Sequence, residues 1–245
     1  GDNADHHRWI AVPRRPGGHA RWQHHPDRNR AGADYARLSG RNQDAGCQNR
    51  RWAKWFEYAE ANGYLAPHGI AKDYSGGRIE RIDIDTGAVE ILYKSGDFGC
   101  TLRGPNDIVF DEHGGFWFTD HGKQDFATRC HDIVGIFYGK ADGSHLEEVI
   151  FPSNNPNGIG LSPDGKSLYA AETYTCRLMK FNIIEPGKVD DAAGPGGPGI
   201  PLYRPAGYKF FDSLGIEECG NICVATIGES GISVISPTGD LVEFV

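Results

Sequence analysis

Three polar residues stand at the start of short, alternating apolar stretches, and their side chains carry oxygens that hard metal ions bind. Asn106 opens "NDIVFDEHGGFWFTD", Asn157 opens "NGIGLSPDGKSLYAAE" and Asp212 opens "DSLGIEECGNICVAT", at spacings of 51 and 55 residues. A single Asn before Gly is common turn chemistry, but three equivalent positions in register favour a shared site. Their amide and carboxylate oxygens suit Ca²⁺, Mg²⁺ or Mn²⁺, and also Zn²⁺ with fewer ligands. Because two Asn and one Asp leave a divalent cation partly uncompensated, we expect a further carboxylate.

The elements that would position these residues are repeated hairpins. Each unit reads as a polar residue, a short alternating strand, a turn with Gly and a second strand. Four further hairpins are predicted around residues 77–93, 134–151, 176–190 and 231–245, and the Gly- and Pro-rich run 185–201 predicts an inserted loop. Two hairpins per period give four strands, the composition of a propeller blade. The sequence therefore predicts an all-β fold, a β-propeller of four-stranded blades.

Radial repetition of blades brings equivalent positions onto a ring around the central channel. In an antiparallel hairpin the start of the first strand lies beside the end of the second. We therefore expect the second-strand ends at the same end of the channel as the three oxygens. These residues are Asp120 with His121, Glu172 with Thr173, and Thr226.

Composition narrows the class of protein. The 245 residues carry a net charge of −8, which argues against general nucleic-acid binding, and no apolar run is long enough to span a membrane. Residues 1–51 differ from the rest, with ten Arg, five Asp and no Glu. We predict an atypical basic segment over 1–51, poorly ordered, ahead of a propeller domain over 52–245. The scattered cysteines and the lack of a targeting signal favour the cytoplasm.

The repeated motifs resemble those of the SMP-30/gluconolactonase/luciferin-regenerating-enzyme family. The resemblance rests on "RGPNDIVFDEHGGFWFTDHG", "NNPNGIGLSPDGKSLYAAET" and "KFFDSLGIEECGNICVAT" and covers residues 76–245. It implies a six-bladed β-propeller with a divalent metal in the channel and hydrolysis of sugar lactones or related esters. By this resemblance Asn157 and Asp212 match metal ligands. Asn106 matches an Asn that binds the metal or contacts substrate and metal-bound water.

Two features depart from the family pattern. The family's first blade supplies a Glu ligand from an "EGP"-like motif, whereas residues 1–51 contain no Glu, and Glu57 and Glu60 lie in no recognisable motif. About four blade-like units are visible where six are expected. The fourth ligand therefore stays unassigned, and the propeller is expected to be incomplete in this chain or unusual in its first 75 residues.

The leading hypothesis is a metal-dependent lactonase acting on a small-molecule sugar lactone. The metal would be held by Asn106, Asn157 and Asp212, with Ca²⁺ expected first and Zn²⁺, Mn²⁺ or Mg²⁺ as alternatives. Asp212 is the candidate general base or simply an anionic ligand, and Asn106 is its catalytic partner. The predicted substrate contacts are Asp120, His121, Glu172 and Tyr174.

Two rival functions share the same ring of oxygens. One is a phosphotriesterase activity on the same metal site, which only substrate profiling would separate from lactone hydrolysis. The other is a propeller that binds calcium or a protein partner without turnover. The sequence leaves the metal, the lactone and the oligomeric state open.

Overall fold

The computed structural model describes residues 74–245 except 84, 126–129 and 195–196. The predicted basic segment 1–51 and the predicted start of the propeller domain lie outside these residues. Within the described part, the chain folds into antiparallel β-sheets and contains no α-helix, as the short alternating stretches predict. No helical segment there has the length and apolarity needed to cross a membrane.

The first sheet is a two-stranded hairpin. It consists of β1 (Arg78–Ile82) and β2 (Val89–Lys94), and a 3₁₀ turn follows at Asp97–Gly99. This hairpin lies where the alternating stretch 77–93 predicts one.

The second sheet contains the first of the repeated units. Its four strands pair in the order β3, β4, β7, β8, and a separate small hairpin of β5 and β6 interrupts the sequence between β4 and β7. The bounds are β3 (Pro105–Phe110), β4 (Gly115–Asp120), β5 (Gln124–Asp125), β6 (Cys130–His131), β7 (Val134–Lys140) and β8 (Leu146–Ser153).

The third sheet repeats this order with a divided outer strand. Strands β9 (Pro156–Leu161), β10 (Ser167–Glu172) and β11 (Arg177–Glu185) pair in succession. The fourth position is shared, because β12 (Lys188–Val189) pairs with one end of β11 and β15 (Ile200–Tyr203) pairs with the other. The predicted loop insertion at 185–201 therefore interrupts the outer strand itself, and it carries the short strands β13 (Ala193–Gly194) and β14 (Gly197–Pro198).

The fourth sheet is a regular meander in which neighbours in sequence are neighbours in space. Its strands are β16 (Phe210–Ile216), β17 (Ile222–Ile227), β18 (Gly231–Ile235) and β19 (Leu241–Phe244). The predicted four strands per period are thus present in the second, third and fourth sheets.

The hydrophobic core consists of three clusters, each between two consecutive sheets. In β4, Phe116 and Phe118 pack toward the first sheet while Trp117 packs toward the third. In β10, Leu168 packs toward the second sheet and Tyr169 packs toward the fourth. Because successive side chains of a strand point to opposite faces, the second and third sheets each bury both faces against their neighbours.

The first strands of the repeated units, β3, β9 and β16, lie side by side along one edge of this stack. The amide of Ile159 in β9 donates to the carboxylate of Asp107 in β3, and Gly158 of β9 lies against Leu214 of β16. Four-stranded sheets stacked face to face with their first strands adjoining are the arrangement of propeller blades. The number of six blades stays a prediction.

Candidate functional site

The three predicted oxygen-bearing residues lie in three equivalent β-bulges. In each case two residues of the first strand face one residue of the second, which bends the strand and re-aims its side chains. Bulge 1 is residues 106–107 opposite Thr119, bulge 2 is 157–158 opposite Ala171, and bulge 3 is 212–213 opposite Ala225. The alternating pattern of the sequence gives no sign of these extra residues.

Hydrogen bonds join bulge 1 to bulge 2. The amide of Asp107 donates to Thr119 Oγ1 at 3.1 Å, and Thr119 Oγ1 donates to the carbonyl of Asn157 at 2.6 Å. The amide of Ile159 donates to Asp107 Oδ2 at 3.0 Å. The backbone on the two sides of Gly158 is therefore held by Thr119 of β4 and by Asp107 of β3.

Bulge 2 is in turn packed directly on bulge 3. A Cβ added to Gly158 would stand 2.4 Å from the backbone nitrogen of Leu214 and 2.7 Å from the carbonyl oxygen of Asp212. The Asn157 side chain lies close enough to the Asp212 carboxyl group to oppose the rise that burial causes in the pKa of that group. The structure thus brings Asn157 and Asp212 into contact, with half-buried Asn106 in the bulge on the opposite side of Asn157.

The side-chain amide of Asn157 has an orphaned oxygen, that is, a buried acceptor without a hydrogen-bond partner among the described residues. Its side chain is 5% exposed, and its Nδ2 donates to Thr173 Oγ1 at 3.2 Å. Within the described residues, its buried Oδ1 has no hydrogen-bond partner. Because a buried carbonyl oxygen without a partner is costly, this atom is a natural ligand for a cation.

A second carboxylate, which sequence reasoning did not assign, lies close to Asp212. Burial raises the pKa of Asp107 to about 7, the amides of Ile159 and Ile108 oppose that shift, and the charge of Asp212 adds to it. Burial also raises the pKa of Asp212, and the Asn157 side chain opposes that shift. Two carboxylates that disfavour each other's charge would both be stabilised by a shared cation.

The donor set therefore suits a hard cation. It offers amide oxygens of Asn and carboxylates of Asp, and it includes the second carboxylate that charge balance requires. Among the described residues, no group of three or more His, Cys, Asp or Glu side chains is arranged to hold an ion. A site here would depend on Asn157 and on Asn106 as well as on the carboxylates.

Asp120 is fully buried at the end of β4, and backbone amides surround its carboxylate. Oδ1 accepts from Gly104 at 2.7 Å and from Gly122 at 2.8 Å, and Oδ2 accepts from Arg103 at 2.6 Å. Burial raises the pKa of Asp120, while these amides and the nearby Lys123 oppose the shift. The carboxylate holds the loop that leads into bulge 1.

Glu172 occupies the equivalent position at the end of β10 and is 2% exposed. Its Oε2 pairs with Arg177 at 2.7 Å and accepts from Thr175 Oγ1 at 2.5 Å. Its Oε1 accepts from the amide of Asn154 at 3.1 Å. This carboxylate therefore holds the loop that leads into bulge 2.

His121 and Tyr174 begin a line of aromatic rings at this end of the sheets. Ring centroids are 6.0 Å apart for His121 and Tyr174, 6.1 Å for Tyr174 and Phe210, and 5.5 Å for Phe210 and Tyr208. Burial raises the pKa of Tyr174. Phe210 and Tyr208 were not predicted as site residues, although both lie within four positions of Asp212 in the sequence.

Known proteins resemble this chain over most of its length. It is 32% identical over 166 residues to the lactonase drp35 of Staphylococcus saprophyticus, a match covering 67% of this chain and 48% of the relative. The lactonase drp35 of Staphylococcus haemolyticus is 33% identical over 134 residues, covering 55% of this chain and 39% of the relative. The chain thus spans about half the length or less of the curated relatives it matches.

Solved structures support the fold. A gluconolactonase from Xanthomonas campestris superimposes with a TM-score of 0.52 at 22% identity, covering 66% of this chain and 52% of that one.

The sequence pattern of one protein family, described as the SMP-30/gluconolactonase/LRE-like region, matches residues 36–245. That match extends over more than four fifths of the sequence, and it includes all three bulges. The chain belongs to the SMP-30/gluconolactonase/LRE-like family.

Proposed function

We propose that this chain is a metal-dependent hydrolase that opens a sugar lactone. The observation that carries the proposal is the orphaned Oδ1 of Asn157, buried in bulge 2 and flanked by bulges that supply Asn106 and Asp212. Buried polar oxygens without partners are rare, and a missing ion is one of their explanations. The relatives named lactonase and gluconolactonase support the reaction class.

The residues that would hold the ion are Asn157, Asp212 and Asn106. Asp107 contributes a second negative charge beside them, so that one divalent cation would be balanced. We propose Ca²⁺ first, because a protein of similar structure from Agrobacterium tumefaciens is named as the calcium-binding protein regucalcin. The two structures superimpose with a TM-score of 0.51 at 20% identity, and the match covers 66% of this chain and 52% of that one. Zn²⁺, Mn²⁺ and Mg²⁺ remain alternatives, since the oxygens accept several hard cations.

In the proposed reaction the ion, when bound, polarises the lactone carbonyl and acidifies water. Asp212 takes a proton from the attacking water as general base, or serves only as an anionic ligand. Water adds to the carbonyl carbon, the ring C–O bond breaks, and the ring oxygen leaves as a hydroxyl after receiving a proton. Asn106 orients the substrate through its amide.

The rim residues would bind the rest of the substrate. His121 and Tyr174 lie on the aromatic line beside bulge 3, so we propose them as direct contacts. Asp120 and Glu172 already bind backbone amides and Arg177, so we propose that they act through the loops they hold. The substrate itself would be a small molecule.

The test is proton release from glucono-1,5-lactone, corrected for spontaneous opening, before and after chelation. We expect chelation to abolish catalysis and one restored ion, Ca²⁺ first, to recover it, because without the ion nothing in the proposed site would polarise the lactone carbonyl. Asp164→Ala is a matched control, since Asp164 is exposed in the turn between β9 and β10. Catalysis that survives complete chelation would contradict metal dependence.

The rival functions are separated by the same samples. If a phosphotriester is hydrolysed faster than the lactone, the proposed substrate class is wrong, whereas the proposed metal site still holds. A metal that raises the melting temperature without any turnover would indicate a binding protein, because a ligand of the native state stabilises it.

A further inference from the structure

One buried hydroxyl joins the two bulges that carry Asn106 and Asn157. Thr119 in β4 is completely buried, and its Oγ1 accepts from the amide of Asp107 while donating to the carbonyl of Asn157. A hydroxyl offers one donor and two acceptor positions. This single atom therefore connects three strands, β4, β3 and β9, at the point where the inner strands bulge.

The same position lacks a hydroxyl in the other two bulges. Ala171 faces bulge 2 and Ala225 faces bulge 3, and both bulges form without a hydroxyl on the facing residue. A bulge in this fold thus does not require a hydroxyl on the facing strand. The Thr119 hydroxyl must then be explained by what it holds in bulge 2 rather than by the formation of bulge 1.

What it holds is the peptide of Asn157. The carbonyl of Asn157 is fixed by Thr119, and the next amide but one, that of Ile159, is fixed by Asp107. The Nδ2 of the same Asn157 is fixed by Thr173. Backbone and side chain are therefore held at three points, while the buried Oδ1 has no hydrogen-bond partner among the described residues.

We propose that Thr119 is a positioning residue that sets the cation affinity of the site by holding the Asn157 carbonyl against β4. This inference rests on the proposed function, because it presumes that Asn157 Oδ1 binds an ion. Partners that orient a metal ligand typically change metal affinity by about 10- to 100-fold when removed. The Thr119 side chain does this without touching the ion.

The experiment compares Ca²⁺ binding to the full chain and its variants by titration calorimetry, with Tb³⁺ luminescence as a spectroscopic probe of the same site. Thr119→Val keeps the shape and removes the hydroxyl, and we expect it to weaken Ca²⁺ binding about tenfold or more. Thr119→Ser restores the hydroxyl and should recover an affinity close to that of the unchanged protein. If Thr119→Val does not fold, Thr119→Cys replaces it, because a thiol is a weaker donor and acceptor.

Ser233→Ala is the matched control. Ser233 is 2% exposed, and its hydroxyl pairs with Thr226 Oγ1 at 2.8 Å, on β18 and away from bulges 1 and 2. Like Thr119→Val, this substitution deletes a buried hydroxyl, so it controls for an effect on Ca²⁺ binding that comes only from lower stability of the fold. We expect Ser233→Ala to bind Ca²⁺ as the unchanged protein does.

The outcomes separate the inference from the proposed function. Equal Ca²⁺ affinity in Thr119→Val and the unchanged protein would overturn the role of Thr119 and leave the metal site standing. Equally weak binding in Thr119→Ser and Thr119→Val, or weak binding in Ser233→Ala, would also overturn it, since the hydroxyl would then not be the cause. Absence of Ca²⁺ and Tb³⁺ binding in the unchanged protein would overturn both proposals.

Discussion

Three carboxylates in successive sheets, two buried and one half-buried, have very different surroundings. Asp120 and Glu172 end the second strands of their sheets, and their oxygens accept from backbone amides or pair with Arg177. Asp212 lies in bulge 3, where its described contact is the side chain of Asn157. The first two carboxylates hold loops, whereas the third has capacity left for a ligand.

The fourth sheet sharpens this difference. At the position equivalent to Asp120 and Glu172 it has Thr226, whose hydroxyl pairs with Ser233. The sheet without an acidic loop anchor is thus the one whose bulge begins with an acid. The second sheet has both kinds of carboxylate, the anchor Asp120 and, in bulge 1, Asp107. The predictions below test whether Asp120 and Glu172 serve their loops while Asp212 serves the site.

The largest expected effect follows from removing the site carboxylate. Asp212→Ala should lower kcat by about 100-fold or more, as expected for a lost general base or ion ligand, while the melting temperature in chelator stays the same or rises. Asn157→Ala should mainly weaken metal affinity, because its oxygen is the orphaned one. Lactone turnover at several Ca²⁺ concentrations separates the two, and full activity in both variants would end the assignment.

Next in size is the loss of the buried ion pair. Glu172→Gln leaves Arg177 without its counter-charge, so we expect the free energy of unfolding to fall by about 3 kcal/mol. Glu185→Gln is the matched control, because its pair with Lys188 is largely exposed and contributes little. Denaturant unfolding measures both.

The alternative role of Glu172 has a different signature. A variant that keeps its stability but loses lactone turnover would make Glu172 a substrate contact, as the sequence predicted. The division between anchors and site would then fail at this position.

A smaller effect is expected where two bulges touch. In Gly158→Ala the added Cβ would meet the backbone of Leu214 and Asp212, which cannot move as a flexible side chain would. We expect about 2 kcal/mol of destabilisation from overpacking, together with weaker metal binding because bulge 3 is displaced. Gly215→Ala is the control, since nothing lies within 4 Å of its added Cβ.

The sequence predicted the hairpins because their signals are local. Alternating apolar residues and turns such as "SPDGK" mark the strands β9 and β10, and the second-strand ends at Asp120 and Glu172 were correctly expected beside the starts of β3 and β9. The pairing follows from antiparallel geometry alone. Element type and register at the strand ends were therefore within reach of pattern reasoning.

The bulges were not predictable in the same way. An extra residue on one strand leaves the apolar pattern nearly intact, so nothing in "PNDIVF" announces that two residues face one. For the same reason nothing in the alternating pattern singles out Asp107, although the bulge brings it near Asp212. Two of the amides that donate to these carboxylates, Gly104 to Asp120 and Asn154 to Glu172, also lie 16 and 18 residues away in sequence, which no local pattern specifies.

The smallest expected effect concerns the most buried anchor. Asp120→Asn keeps one oxygen as an acceptor but turns an NH₂ group toward an amide that previously donated to a carboxylate. Since three amides meet this side chain and at least one would lose its acceptor, we expect the free energy of unfolding to fall by about 1 kcal/mol. Lactone turnover per folded molecule should change little, because the loop and not the ion depends on Asp120. A large loss of turnover at unchanged stability would place Asp120 in the site, and the contrast between loop anchors and site carboxylates would then hold for Glu172 alone.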